Sequence, residues 1–135
     1  MGFELTEQVQ RHLSDETIGW LTTVTASGRP APRPVWFTWD GTTITIHSQP
    51  DAAKLRHIAA NDQVSLHFSQ GVGGGDVVVL YGQARRVPGA QPPTKDPEYQ
   101  EKYAPIIEQA GFTEEFLDSF SEAIQITPER VWAIP

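Results

Sequence analysis

Ser48, Lys54 and Arg56 are the residues whose types and spacing could do chemistry together. The run Thr43–Ser48 reads as a strand that ends on a hydroxyl, and Asp51–Asn61 reads as a short helix with both cations in its first turns. A helix start offers amides without partners and the positive end of the peptide dipole. Hydroxyl, ammonium, guanidinium and free amides in one place would hold a phosphate. On a regular helix Lys54 and Arg56 lie about 200° apart, so both reach one anion only if the helix begins close to Lys54. A plainer arrangement fits the same residues: Ser48 and Asp51 as turn and cap, and Lys54, Arg56, His57 and Asn61 as a solvated helix face.

Other elements must hold that corner in place. Leu5, Val9 and Leu13, spaced by four, predict a leading helix with this face inward. Short strands are then expected at Ile18–Thr25, Pro32–Trp39, Thr43–Ser48 and Gln63–Ser69, with turns at Ser27-Gly28 and Asp40-Gly41. Val64, Leu66 and Phe68 alternate with Ser65, His67 and Ser69, which puts His67 on the solvent side. After the Gly71–Gly75 link, Asp76–Val87 reads as a long strand, and its unbroken Val77–Tyr81 run predicts burial on both faces, as in a barrel wall covered by a partner. Pro88–Pro97 is too proline-rich for a regular element. Helices are expected at Tyr99–Ala110 and Thr113–Phe120, divided at Gly111, and a last strand pair at Ala123–Thr127 and Arg130–Ile134 around Pro128. The sum is a mainly β single domain over residues 1–135: a six-stranded antiparallel barrel with flanking helices, its ligand outside the filled interior.

Composition narrows the chemistry. A chain of 135 residues is long enough for one self-sufficient core. With no cysteine it has no thiolate nucleophile, thiolate metal site or disulfide, which fits a reducing compartment, and the cytoplasm is the default. A net charge of −7 argues against nucleic acid and anionic membrane as partners. No apolar run nears the roughly 20 residues that cross a bilayer, and Met1–Gln10 lacks the basic start and apolar core of a signal peptide. The four histidines lack metal-site spacing, no serine sits in a Gly-x-Ser-x-Gly elbow, and Gly71–Gly75 lacks the lysine and hydroxyl of a phosphate loop. A basic groove on an acidic protein must then be local, with Arg29, Arg33, Lys54 and Arg56 as its candidates. By pattern alone, Trp36 suits core and ligand wall equally, as does Trp132.

Several runs together carry a resemblance: Pro34-Val35-Trp36, Trp39-Asp40-Gly41, Ile44-Thr45-Ile46-His47-Ser48, Lys54-Leu55-Arg56 and Asn61-Asp62-Gln63-Val64-Ser65-Leu66. Their order resembles the signature of the pyridoxamine 5'-phosphate oxidase-like, FMN-binding split-barrel family, and within it the short actinobacterial branch that uses the deazaflavin coenzyme F-420. Ile126-Thr127-Pro128-Glu129-Arg130-Val131 resembles the family's last strand. The resemblance implies a homodimer with two flavin-type cofactors in grooves at the subunit junction. It implies a ring against Pro34, Val35 and Trp36, with Arg33 and His47 within reach, and a phosphate against Ser48 and Lys54 with Arg56 nearby. Many relatives carry arginine where Ala52 stands and asparagine where His57 stands, which here removes one phosphate donor and replaces another by an imidazole.

The activity so implied is that of an oxidoreductase passing a hydride between coenzyme F-420, an 8-hydroxy-5-deazaflavin, and an unsaturated small molecule. His47 and Tyr81 are the candidate proton donors, with solvent as the alternative. Two other readings stay open: an FMN-dependent oxidase or reductase, and a non-catalytic carrier of flavin, haem or bilin. Haem would call for an axial histidine, His47 or His67.

Overall fold

The computed structural model describes residues 3–69 and 71–135. A leading helix α1 (Glu7–Asp15) is capped by Thr6, whose hydroxyl accepts from the amide of Val9 at 3.2 Å. Val9 and Leu13 are fully buried, but Leu5 is 43% exposed. Leu5 precedes the cap and so leaves the helical phase; His12 takes the third inward position.

Seven strands follow: β1 (Gly19–Val24), β2 (Pro30–Val35), β3 (Thr38–Trp39), β4 (Ile44–Ser48), β5 (Gln63–His67), β6 (Val77–Val87) and β7 (Glu122–Ile134). They form one antiparallel sheet in the order β2-β1-β5-β6-β7-β4-β3, curled around the core as a half-barrel with flanking helices. Among the described residues the count is seven rather than six, and two of the expected strands differ from the sequence reading. The expected strand Pro32–Trp39 is interrupted at Trp36-Phe37, because the backbone of Phe37 is claimed from outside the sheet. Its amide donates to the Tyr103 hydroxyl at 2.8 Å, and its carbonyl accepts from Lys102 Nζ at 2.9 Å.

The expected pair around Pro128 is instead the single strand β7. It runs along β6 throughout, with a bulge where Gly82 faces Pro128 and Tyr81 faces Arg130. Glu129 is the extra residue. A bulge tolerates the proline's missing N–H. It also requires Gly82, since a Cβ there would stand 2.3 Å from the Thr127 carbonyl oxygen.

The core fills the concave side, where Phe37, Ile44, Ile46, Leu66, Phe68, Leu80, Ile124 and Ile126 are all at most 2% exposed. Strand β6 is not buried on both faces within the chain. Val78, Leu80 and Ala84 point inward, whereas Val77 and Val79 are half-buried and Tyr81 is exposed on the outer face. His67 likewise is half-buried, in a cross-strand row Trp20–His67–Val79–Trp132.

Helix α2 (Ala53–Ala60) links β4 to β5, and α3 (Pro97–Ala110) and α4 (Glu114–Asp118) link β6 to β7 after a tight turn at Pro93–Lys95. Asp96 caps α3 through the amides of Glu98 and Tyr99, with Pro97 in the first position that tolerates it. Gly111, in the left-handed conformation at φ 73°, ends α3 and lets Thr113 cap α4 at once. Among the described residues no helix is long and apolar enough to cross a membrane.

Candidate functional site

Strand β2 reaches the open edge of the sheet at Pro34 and Val35, and the chain leaves it at Trp36. There the α3–α4 hairpin folds against it. Trp36 stacks on Tyr103 with centroids 4.3 Å apart and planes 2° from parallel, and tilts toward Tyr99 at 5.9 Å and Phe112 at 6.0 Å. Tyr103 is itself completely buried. Its hydroxyl accepts from Phe37 and donates to the Thr17 carbonyl at 2.9 Å, which locks α3 to the strand break. Beside this aromatic stack lies a cleft of about 310 Å³ lined by Ile18, Pro34, Val35, Trp36, His47, Lys54, Tyr99, Phe112, Phe116, Leu117 and Phe120.

A second cleft of about 260 Å³ shares Pro34 and Lys54 with the first, and is otherwise lined by Leu21, Thr23, Ala31, Arg33, Ala52, Ala53 and His57. The first cleft is almost wholly apolar, the second carries the polar groups of Thr23, Arg33 and His57 among apolar neighbours, and Lys54 stands at their junction. Helix α2 starts there without a side-chain cap, so its first amides are open to a ligand. Burial lowers the Lys54 pKa, and the nearby charge of Arg33 lowers it further. Two cations held close without a carboxylate between them form a corner that gains from an anion. His57 lines this corner with its Nδ1 2.8 Å from the buried Thr23 hydroxyl.

His47 faces the apolar cleft from β4. Its side chain is 6% exposed, with Nε2 3.5 Å from Asp96 Oδ2 and its ring edge-on to Tyr99 at 5.4 Å. Burial pushes its pKa down, and Asp96 pulls against that shift. The imidazole is therefore neutral near pH 7, with a carboxylate in place to support its charged form. Burial also pushes the Tyr99 phenol up to about 12, so it keeps its proton.

Of the residues singled out in the sequence, Arg33, Pro34, Val35, Trp36, His47 and Lys54 line these two adjoining clefts. Ser48 does not. It is 1% exposed, and its hydroxyl donates to the neighbouring Gln49 carbonyl at 3.0 Å. Arg56 is exposed and lines neither cleft, although the helix does begin next to Lys54; its position on α2 turns it away. Tyr81 sits on the outer face of the sheet under the Arg130 guanidinium, 4.6 Å from the ring centroid. Arg29 lies in the turn between β1 and β2, where its amide donates to Thr25 Oγ1 at 3.0 Å. Sequence reasoning missed Ile18, Tyr99 and the wall Phe112, Phe116 and Phe120. The spacing by four of those phenylalanines is a one-face helical signal that could have found them.

A family described as Pyridoxamine 5'-phosphate oxidase matches residues 5–134. No curated protein matches the sequence. Among solved structures, an F-420 reductase is 23% identical with a TM-score of 0.71, over 95% of this chain and 98% of that one. General stress protein 26 from Bacillus anthracis is 16% identical with a TM-score of 0.70, over 95% and 92%. The haem storage protein HutZ from Vibrio cholerae is 17% identical with a TM-score of 0.63, over 98% and 96%. At these identities the likeness is one of fold.

Proposed function

The chain belongs to the pyridoxamine 5'-phosphate oxidase family, and from that membership we propose that it is an oxidoreductase using coenzyme F-420, with a hydride passed to or from an unsaturated small molecule. The observation that carries this reading is the pair of joined clefts: an apolar slot beside Trp36 that opens, at Lys54, into a cationic corner. A planar ring with a phosphorylated arm has this shape and charge pattern. The F-420 reductase among the structural neighbours supports deazaflavin over FMN, which is the alternative coenzyme.

When bound, such a coenzyme supplies the hydride chemistry; the protein supplies position and electrostatics. Pro34, Val35 and Trp36 would bind the ring and exclude water from one side of it. Lys54, Arg33 and the open amides of α2 would hold the phosphate, with His57 beside them. His47 is the group we assign to hold the transferable proton at Nε2, where Asp96 works against, without cancelling, the burial that disfavours the imidazolium. Tyr81 lies outside its own chain's clefts, so any role for it there requires a second copy.

We also propose a homodimer formed through the outer sheet face. Trp20, Tyr81, Trp132 and Ile134 are 38%, 36%, 54% and 38% exposed on that face, a cluster of large apolar side chains of the kind found at interaction surfaces. Such a partner would supply the cover that the sequence of β6 calls for.

A side-by-side fluorescence titration with coenzyme F-420 and FMN, at low and moderate salt, tests the reading. Tight, salt-sensitive binding of the deazaflavin supports it, FMN preference moves the protein to the flavin enzymes, and binding of neither refutes both. A haem carrier is the second reading, favoured by the half-buried His67 between Trp20 and Val79 on the outer face. Haem binding that His67→Ala abolishes would select it.

A further inference from the structure

The proposed function leaves the α3–α4 end of the apolar cleft without an occupant. Phe112, Phe116 and Phe120 form a ladder there, with successive ring centroids 5.1 and 5.4 Å apart. Trp36 joins the ladder at Phe112, 6.0 Å away. Phe112 and Phe116 are 39% and 43% exposed although both line the cleft, so they offer aromatic surface to it rather than to the core. None of the three borders the cationic corner, which meets this cleft at Pro34 and Lys54.

The wall is fixed in place. The Thr113 hydroxyl caps α4 at the Phe116 amide, 3.0 Å away, and the Thr94 hydroxyl donates to the Asp118 carboxylate at 2.8 Å. Charge at this end is already committed. Asp118 is taken by Thr94, and Asp96 by the amides that start α3 and by His47. Among the described residues no carboxylate lines the cleft to receive a cation, and the cation that does line it, Lys54, belongs to the phosphate corner. A charged group brought against the ladder would lose water without gaining a partner.

Building on the coenzyme placement in the proposed function, we propose that the α3–α4 end of the cleft is the substrate subsite. It takes an uncharged, ring-bearing apolar molecule, held against Phe112, Phe116 and Phe120. Aromatic pairs favour offset or edge contacts at about 4.5–7 Å, the spacing the ladder already has, so an added ring continues it.

The test uses three probes with the same ring system and different charge: 2-naphthol, 2-naphthoate and 2-naphthylmethylammonium, each titrated calorimetrically at pH 7 with and without saturating coenzyme. 2-Naphthol should bind at least about tenfold more tightly than either ion, and Phe116→Ser should weaken it about three- to tenfold, the worth of one aromatic contact. Phe112→Ser, on the other side of the α4 cap, should do the same and covers the case in which one variant fails to fold. Equal or tighter binding of either ion overturns the inference. So does naphthol affinity indifferent to both substitutions, and so does a dimer that Phe116→Ser splits in sedimentation, which would give the wall to a second copy. Titration of FMN and coenzyme F-420 on the same preparation separates the two readings. Coenzyme bound without naphthol sinks the subsite alone; naphthol bound without coenzyme sinks the oxidoreductase and keeps the aromatic ligand site.

Discussion

Replacing Lys54 by methionine should weaken a phosphorylated flavin while leaving the empty protein no less stable. The side chain is half-buried, and both its burial and Arg33 oppose its charge. A lysine whose pKa is lower in the folded chain than in the unfolded one penalises folding while it is charged. That penalty is full below the folded pKa and fades only as pH rises toward the unfolded value, so it operates at pH 7. Methionine keeps the apolar stem and removes the penalty.

The ligand-bound state behaves oppositely. A charge-assisted hydrogen bond to phosphate contributes about 1.5–3 kcal/mol, and partial solvent access at Lys54 places the value near the low end, which is about tenfold in affinity. The assay is flavin fluorescence quenching with FMN and riboflavin, together with coenzyme F-420 and its phosphate-free chromophore, followed by denaturant unfolding of the empty protein. FMN affinity should fall about tenfold or more, riboflavin by less than about twofold, and the unfolding midpoint should hold or rise. Equal effects on the two flavins would mean that Lys54 touches the ring rather than the phosphate. A less stable empty variant would make Lys54 structural and refute the argument.

Trp132→Glu should turn a dimer into a 15.0 kDa monomer by sedimentation, because it puts a charge in the middle of the outer apolar face; a variant of unchanged mass would remove that face as the interface. Gly82→Ala should cost at least about 2 kcal/mol in denaturant unfolding, since its Cβ would overlap the Thr127 carbonyl oxygen at 2.3 Å in the bulge. Lys102, over the Phe37 ring, has its pKa pushed down to about 8, mainly by burial. Its charged form disfavours the folded chain, so wild-type stability should rise relative to Lys102→Met between about pH 8 and the ordinary lysine range near 10.4. A flat difference across that window would contradict the assignment.

Element by element, local rules carried the sequence reading a long way. The cap at Thr113, the Asp40-Gly41 turn and the alternation in β5 act within a few residues of chain, so they are legible from composition and spacing. The two strand errors arose where distant groups override local preference. Tyr103 and Lys102 take the hydrogen bonds of Phe37, 66 and 65 residues away, and a glycine on β6 accommodates the proline of β7.

At the site, the family resemblance carried by Pro34 to Lys54 pointed to Arg33, Trp36 and His47, and these residues do line the two adjoining clefts. Those positions lie close together in the chain, on one strand–turn–strand–helix unit, although Tyr103 and Lys102 set the break in its first strand. Sequence alone did not decide which cations converge, because that depends on where the helix starts and how it is seated: Lys54 faces the cleft, Arg56 faces away, and Ser48 is consumed by its neighbour's carbonyl. Nor did it reveal the aromatic wall. Phe112 and Trp36 stand 76 residues apart, and only the locking of α3 onto the broken strand through the buried Tyr103 hydroxyl brings their rings to 6.0 Å. Periodicity and turn chemistry specify elements, whereas the contacts that make a cleft are long-range packing choices that only the folded chain decides.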